Sequence, residues 1–307
     1  MAAGLIAVVG PTAAGKSELG LQLAEELGGE IVSCDSLQVY RGLDIGSAKP
    51  SVEERRRVPH HLIDVVQPDE PFSAADYGRL ARRSVAETAA RGKRPLVVGG
   101  AGLYLRALLE GLFEGPSRDE PLRRRLEGLA ARYGDVRLHR LLSHVDPEAA
   151  ARIRERDRVR VVRALEVFRA TRRPISERQR VASQPPLDGF DVLVLGLAPS
   201  RGELRVRVEQ RTDAMLRQGL IEEARGLLER YPEDLMPLRA IGYRQAVDVV
   251  RGRRGIEAAR HDIVAKTMRY AKRQLTWFRH QTPATWCPTA ALAREAALAW
   301  LAERDRA

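Results

Sequence analysis

Residues 8–20 read VVGPTAAGKSELG, and the interval from Gly10 to Ser17 has the form Gly-x-x-x-x-Gly-Lys-Ser. Glycines at this spacing let the backbone turn tightly enough to aim consecutive N–H groups at one anion. The lysine adds a full positive charge, and the following helix turns its positive end to the same point. The flanks suit this reading. Leu5–Val9 is a short apolar run, as a buried parallel strand has, and Glu18–Leu27 puts Leu19, Leu23 and Leu27 on one helical face before Gly28 and Gly29 end it. Gly10, Pro11, Thr12, Ala13, Ala14, Gly15, Lys16 and Ser17 are therefore the predicted phosphate-binding loop, with the Ser17 hydroxyl offered to Mg2+. The loop alone leaves its ligand open, ATP included.

Outward from the loop, strands and helices alternate. Glu30–Ser33 reads as a second strand that delivers Asp35 to a carboxyl end, where open α/β sheets bind ligands. Ala74–Ala90 reads as a helix, Pro95–Val98 as a third buried strand closed by GGAGLY (Gly99–Tyr104), and Leu103–Leu109 as the next helix. This order predicts an α/β fold, a P-loop parallel-sheet core covered by helices. From Pro116 to Arg180 no apolar strand run occurs, while Pro121–Tyr133 and Pro147–Thr171 are charged and helix-periodic. Strand character returns at Val192–Leu197, and helical patterns follow at Gly202–Arg217, Leu220–Arg230 and Ile256–Gln281. The predicted organisation is a core of residues 1–115 and 190–307, interrupted by a helical basic insertion, 116–189, that returns through SQPPLDG (Ser183–Gly189). A chain of 307 residues accommodates two such domains.

Charge is unevenly spread. The net charge is +11, and residues 118–180 hold eighteen Arg, no Lys and ten Asp or Glu, which is +8 in that window. Such a concentration is the footprint of a polyanion partner; a solvated helical surface in an arginine-rich chain is the alternative. Of 52 basic residues only five are Lys, yet Lys16 and Lys49 both sit in Gly-bearing stretches. Cys34 and Cys287 lack metal or redox spacing, the six histidines lack metal-ligand spacing, and Ala2–Val9 is too short to span a membrane, so a reduced, cytoplasmic, membrane-free protein is expected.

A second strand ending in Asp, as nucleotide hydrolases use for Mg2+, is not evident: PLVVGG ends in glycines, although HLIDVV (His61–Val66) contains Asp64. Asp35 is placed to act as a general base or metal helper, with a capping or turn aspartate as the alternative. Tyr40, Arg41, Asp44 and Lys49 belong to a polar segment too long for a simple turn.

GPTAAGKS, DSLQVYRGLDIGSAKP, HHLID, GGAGLYLRALLEG, RALEV, IGYRQ and AKRQLTWFRH occur in this order, and together they resemble the bacterial tRNA dimethylallyltransferases, or tRNA isopentenyltransferases, over about residues 5–285. The resemblance implies transfer of a dimethylallyl group from its diphosphate to N6 of adenosine 37 in the anticodon stem-loop of tRNAs reading codons that begin with U. The loop then holds a leaving pyrophosphate, with Mg2+ as cofactor, in a monomeric enzyme, and Asp35 is the general base.

The same resemblance assigns Arg211 to the diphosphate, with one more surface arginine beside Arg205, Arg207 and Arg217 as the alternative. It assigns tRNA contact to Asp35, Ser36, Leu37, Gln38, Ala101, Arg123, Arg158, Val159, Arg160, Val161, Val162, Arg163, Arg244, Gln245, Lys272, Arg273, Gln274 and Trp277. Trp277 and Phe278 also read as core. Family members usually carry Thr where this chain has Ala101, which leaves that position a role in shape but no hydroxyl. Three other readings compete. An adenylate isopentenyltransferase would not require the basic insertion, a small-molecule kinase would release ADP, and a non-catalytic RNA-binding protein would not require Lys16, Ser17 and Asp35.

Overall fold

The computed structural model describes residues 2–304 and 306, apart from 114, 117 and 182–185. In chain order the elements are β1 (Ala3–Val9), α1 (Lys16–Leu27), β2 (Glu30–Cys34), α2 (Val52–Arg57), β3 (His60–His61), α3 (Ala74–Ala90), β4 (Pro95–Gly99) and α4 (Gly102–Leu109). Five helices follow: α5 (Glu120–Tyr133), α6 (Asp135–Val145), α7 (Pro147–Arg152), α8 (Arg158–Thr171) and α9 (Ile175–Val181). The chain then forms β5 (Phe190–Leu197), α10 (Arg201–Arg217), α11 (Leu220–Leu228), α12 (Tyr243–Val250), α13 (Ile256–Gln281), β6 (Thr285–Cys287) and α14 (Ala290–Arg304). It divides into two compact units, residues 1–108 with 187–307, and residues 109–186. The divisions fall at Leu109 and Pro186, where composition had suggested 116 and 189. Of the predicted return linker, residues 183–185 lie outside the described residues.

The first unit is built on a parallel sheet of order β3-β2-β4-β1-β5-β6. Its central strands are almost wholly apolar because both faces are covered. Side chains alternate between them: Ile6 and Val8 pack with Leu19 and Leu23 of α1 and with Ala293, Ala297 and Leu301 of α14. Leu5, Ala7 and Val9, equally buried, point the other way. From β1 the chain passes through α1 to β2, leaving a place that β4 later fills, whereas from β4 it goes on to β5 beyond β1. Adjacent strands β1 and β4 therefore send their connections in opposite directions, and a crevice opens at their carboxyl ends. Gly10, Asp35 and Ala101, following β1, β2 and β4, all emerge at that edge.

The second unit is helical, with Leu126, Ala130, Leu138, Leu142, Val161, Val162 and Val167 in its core. The helix predicted over Pro147–Thr171 is two helices. Asp146 accepts from Ala149 N–H (2.9 Å) to start α7, and Asp157 accepts from Arg160 N–H (3.3 Å) to start α8, so a second N-cap inside the periodic stretch divides it. At the centre of the unit is Glu166, 0 % exposed, which accepts from Arg123 Nε (2.8 Å) and Nη2 (3.0 Å), Arg163 Nη1 (2.5 Å) and Asp119 N–H (2.7 Å). Burial alone would raise its pKa; the bonds from Arg123, Arg163 and the Asp119 backbone overcome this and hold it at about 2.

Glu166→Ala leaves Arg123 and the Asp119 N–H without their acceptor and should destabilise this unit by about 3–5 kcal/mol, read as faster hydrogen exchange in α5 and α8. The folded pKa lies below the ordinary 4.5, so the contribution of Glu166 is present above 4.5 and lost as pH falls from there to about 2. Acid titration of the same exchange rates should show that loss in the wild-type chain and not in Glu166→Ala.

Candidate active site

The phosphate loop leaves β1 at Gly10, whose φ is 141° and where a Cβ would lie 2.5 Å from Leu197 O; only glycine fits there. Gly15 takes φ 96° to start α1, which has no side-chain cap. Its first-turn N–H groups are thus left for an anion. Lys16 Nζ donates to Pro11 O (2.7 Å) across the loop. Two arginines one helical turn apart on α10 brace it from outside: Arg211 Nη1 donates to Thr12 Oγ1 (3.3 Å) and Arg207 Nη1 to Ala14 O (3.0 Å). Arg205 instead pairs with Glu209 (2.9 Å), and Arg217 is exposed. The one-turn spacing brings Arg207 as well as Arg211 to the loop, although Arg207 remains exposed.

Asp35, half-buried, follows β2. Its Oδ1 accepts from Leu37 N–H (2.8 Å), the turn-aspartate geometry, and Oδ2 makes no hydrogen bond among the described residues. One oxygen is thus fixed and the other remains for chemistry. Desolvation, then the Arg211 charge, lower the Lys16 pKa to about 8, against Asp35 and Cys34. Burial lowers that of Arg211, and Asp35 opposes the shift. Burial raises Tyr270 to about 12 and raises Tyr77 and Tyr104, with the Asp35 charge adding to each. The Asp35 charge thus acts on two cations and three un-ionised phenols, and two of the phenols, Tyr77 and Tyr104, stack at 4.2 Å. Burial also pushes the Cys34 thiol up to about 12, so it stays protonated and is no nucleophile.

The polar segment after Asp35 is held by charges inside and outside it. Ser33 Oγ donates to Gln38 Oε1 (2.8 Å), and Gln38 Nε2 donates to Ala48 O (3.1 Å). Lys49 Nζ donates to Tyr40 O, Asp44 and Asp64, each at 2.6 Å. Asp64 also receives Arg55 (2.8 Å), so both of its oxygens are engaged in holding the segment. From α11, Glu223 accepts the N–H groups of Asp44, Ile45 and Gly46 (3.0, 2.8 and 3.2 Å) and the Tyr243 hydroxyl (2.6 Å). Glu223 and Tyr243 had no local motif to mark them. Ser36 and Leu37 are half-buried at the start of this segment.

The predicted RNA-contacting residues separate by burial. Lys272, Arg273 and Arg244 are exposed, and Ala101 is half-buried, with its N–H donating to Cys34 O (3.1 Å). Trp277 is half-buried against Gly102, where a Cβ would meet its ring at 2.2 Å. Gln274 and Gln245 are buried. Gln274 joins the phosphate loop to the turn after β4. Gln245 accepts from Gly242 N–H (2.9 Å) and donates to Asp262 (2.9 Å), capping α12. In the second unit the side chains of Val161 and Val162 lie in the core, and Arg123 and Arg163 pair with Glu166. Arg158, paired with Asp135, Arg160, paired with Asp157, and Val159, 74 % exposed, face solvent.

Among the described residues no three His, Cys, Asp or Glu form a metal cage. Ser17, exposed in the first turn of α1, is an oxygen donor of the kind that completes Mg2+ coordination together with substrate phosphates. No helix of the described residues is long and apolar enough to cross a membrane.

The IPP transferase family matches residues 38–281. The chain is 50 % identical over 286 residues to a tRNA dimethylallyltransferase of Geobacter metallireducens, covering 92 % of this chain and 91 % of that one. It is similar to the full-length tRNA isopentenylpyrophosphate transferase of Bacillus halodurans, with TM-score 0.71 and 39 % identity, over 99 % of this chain and 98 % of that one. A eukaryotic dimethylallyltransferase crystallised acting on tRNA is also similar, with TM-score 0.71 and 27 % identity, over 90 % of this chain and 70 % of that one.

Lys16 is charged below about pH 8 and neutral above it. Affinity for inorganic pyrophosphate, measured by calorimetry, should therefore fall as pH rises through that value. Lys16→Arg, whose guanidinium keeps its charge, should lack the step.

Proposed function

This chain belongs to the IPP transferase family, and from that premise we propose that it moves a dimethylallyl group from dimethylallyl diphosphate to N6 of adenosine 37 in the anticodon stem-loop of tRNAs that read codons beginning with U. The products are N6-dimethylallyladenosine and pyrophosphate. The observation that carries this reading is the grouping of Lys16 and Arg211, both with lowered pKa values, around Asp35 beside a loop whose helix end is uncapped. A site that combines cations with one carboxylate suits a reaction that expels an anion and removes a proton.

The allylic C–O bond breaks and its electron pair leaves with pyrophosphate. Loop N–H groups, Lys16 and Arg211 face that growing charge, already oriented before the bond breaks. The N6–C bond forms from the adenine nitrogen, a weak nucleophile because its lone pair is delocalised into the ring. Asp35 Oδ2 takes the N6 proton, while the Leu37 N–H holds Oδ1 in place. Ser17 would hold Mg2+ against the diphosphate, where the ion supplies further charge neutralisation. The adenine must leave its stack to reach Asp35, and the half-buried, un-ionised Tyr270 offers it an uncharged ring.

The exposed Lys272, Arg273 and Arg244 and the arginines of the second unit suit phosphate contacts, which position RNA without reading its sequence.

Incubation with dimethylallyl diphosphate, Mg2+ and unmodified tRNA, followed by nucleoside mass analysis, should give dimethylallyladenosine and pyrophosphate; ADP formed from ATP instead would favour a kinase. Asp35→Ala should lower kcat about 10²–10⁴-fold with donor affinity nearly unchanged, and full turnover would remove Asp35 from the chemistry. Affinity for tRNA should fall steeply between about 50 and 200 mM salt; a flat dependence would exclude the arginine-rich surface as the docking site.

A further inference from the structure

Beyond the sheet, whose paired residues end at Val9, Gly99 and Cys34, one side chain joins the phosphate loop to the acceptor side of the crevice. Gln274, on α13, is 8 % exposed, and both ends of its amide are used. Oε1 accepts from Thr12 N–H at 2.9 Å, and Nε2 donates to Gly100 O at 2.8 Å. Thr12 lies in the loop after β1, and Gly100 in the turn after β4, the two strands that flank the crevice. A Cβ on Gly100 would stand 2.5 Å from Gln274 Nε2, so the turn is bare where the amide enters. One orientation alone satisfies both partners. Turned over, the amide would set its NH2 against the Thr12 N–H and its oxygen against the Gly100 carbonyl.

From Gly100 the connection continues through the next residue. Ala101 N–H donates to Cys34 O (3.1 Å), and Cys34 precedes Asp35. Thr12, Gln274, the Gly100–Ala101 turn and Cys34 thus form an unbroken hydrogen-bonded path from the diphosphate cradle to the carboxylate. The sheet sets the spacing of the strand ends, and Gln274, whose partners are 262 and 174 residues away in sequence, carries the connection past them to Thr12 and Gly100.

The geometry points to Gln274 as a positioning residue for prenyl transfer: it fixes the separation between the leaving-group cradle and the base. This inference rests on the proposed function for its chemistry. In a displacement, the bond that breaks lies against the loop and the bond that forms lies toward Asp35. An error of about 1 Å between the two halves costs on the order of 10²-fold in rate. Gln274 touches neither reacting atom and acts through the Thr12 amide and the Gly100 carbonyl.

Two variants of the full chain test it. Gln274→Met keeps length and removes both bonds; kcat at saturating donor should fall about 10²-fold, with tRNA affinity and the far-ultraviolet spectrum unchanged. In Gln274→Glu, a protonated carboxyl reproduces both bonds, its C=O accepting from Thr12 and its O–H donating to Gly100, whereas the carboxylate cannot donate. Its kcat relative to wild type should therefore rise as pH is lowered, opposite in sense to a reaction that needs Asp35 ionised. Wild-type kcat in folded Gln274→Met would overturn the inference. So would a Glu-to-wild-type ratio that is flat with pH, or losses that only follow the unfolded fraction. If the wild-type chain transfers no prenyl group, the proposed function fails and pyrophosphate affinity decides the inference. Gln274→Met should weaken that affinity several-fold through loss of a preset loop, and equal affinity would overturn it.

Discussion

Backbone N–H groups can hold a diphosphate only while they stay unpaired inside a fold that otherwise pairs its buried donors. Much of the first unit follows from this requirement. Gly10 and Gly15 take backbone conformations that a side chain would oppose, and α1 begins without a side-chain cap. A loop so formed has little to hold its shape, and the neighbouring elements supply what it lacks. Lys16 spans it to Pro11 O, Arg207 and Arg211 bond Ala14 and Thr12 from α10, and Gln274 holds the Thr12 amide from α13. The cradle is therefore a product of three helices, two of them far along the chain.

The same crowding sets the electrostatics. Lys16 and Arg211, two of the three cations on the loop, feel the Asp35 carboxylate, and desolvation lowers the pKa values of both. A diphosphate would relieve that cost, since each cation gains a partner of opposite charge. Asp35 is the counterweight, and the neighbouring phenols keep its surroundings polar without adding charge. In the second unit arginine serves in two ways. Arg123 and Arg163 hold Glu166 in the core, whereas Arg160 and its exposed neighbours present charge to solvent. Net charge counts both kinds alike, so the +8 of residues 118–180 overstates what an RNA could meet.

Local pattern made much of the architecture legible. Ala74–Ala90 and Ile256–Gln281 have the bounds their periodicity implied, and each predicted strand occurs with one or two residues added. Elements without a period were missed: β3 has two residues and β6 three, and pair only because a sheet edge is there to receive them. Among helices, α14 is so rich in alanine that no polar face stands out, and α12 depends on Gln245 bonding Gly242 and Asp262.

For the site, the sequence by itself determined the loop, the strand end that carries Asp35 and the basic character of the interrupting segment, because each is a matter of neighbours along the chain. Tertiary structure alone decided which of the like residues face the loop. Arg207 and Arg211 do and Arg205 does not; Gln274 is a buried brace and Lys272 an exposed cation. It also recruited Glu223, whose three backbone partners lie 177–179 residues away. The physical reason is that a hydrogen bond depends on distance and direction in space, and spacing along the chain carries that information only within one helix, strand or turn.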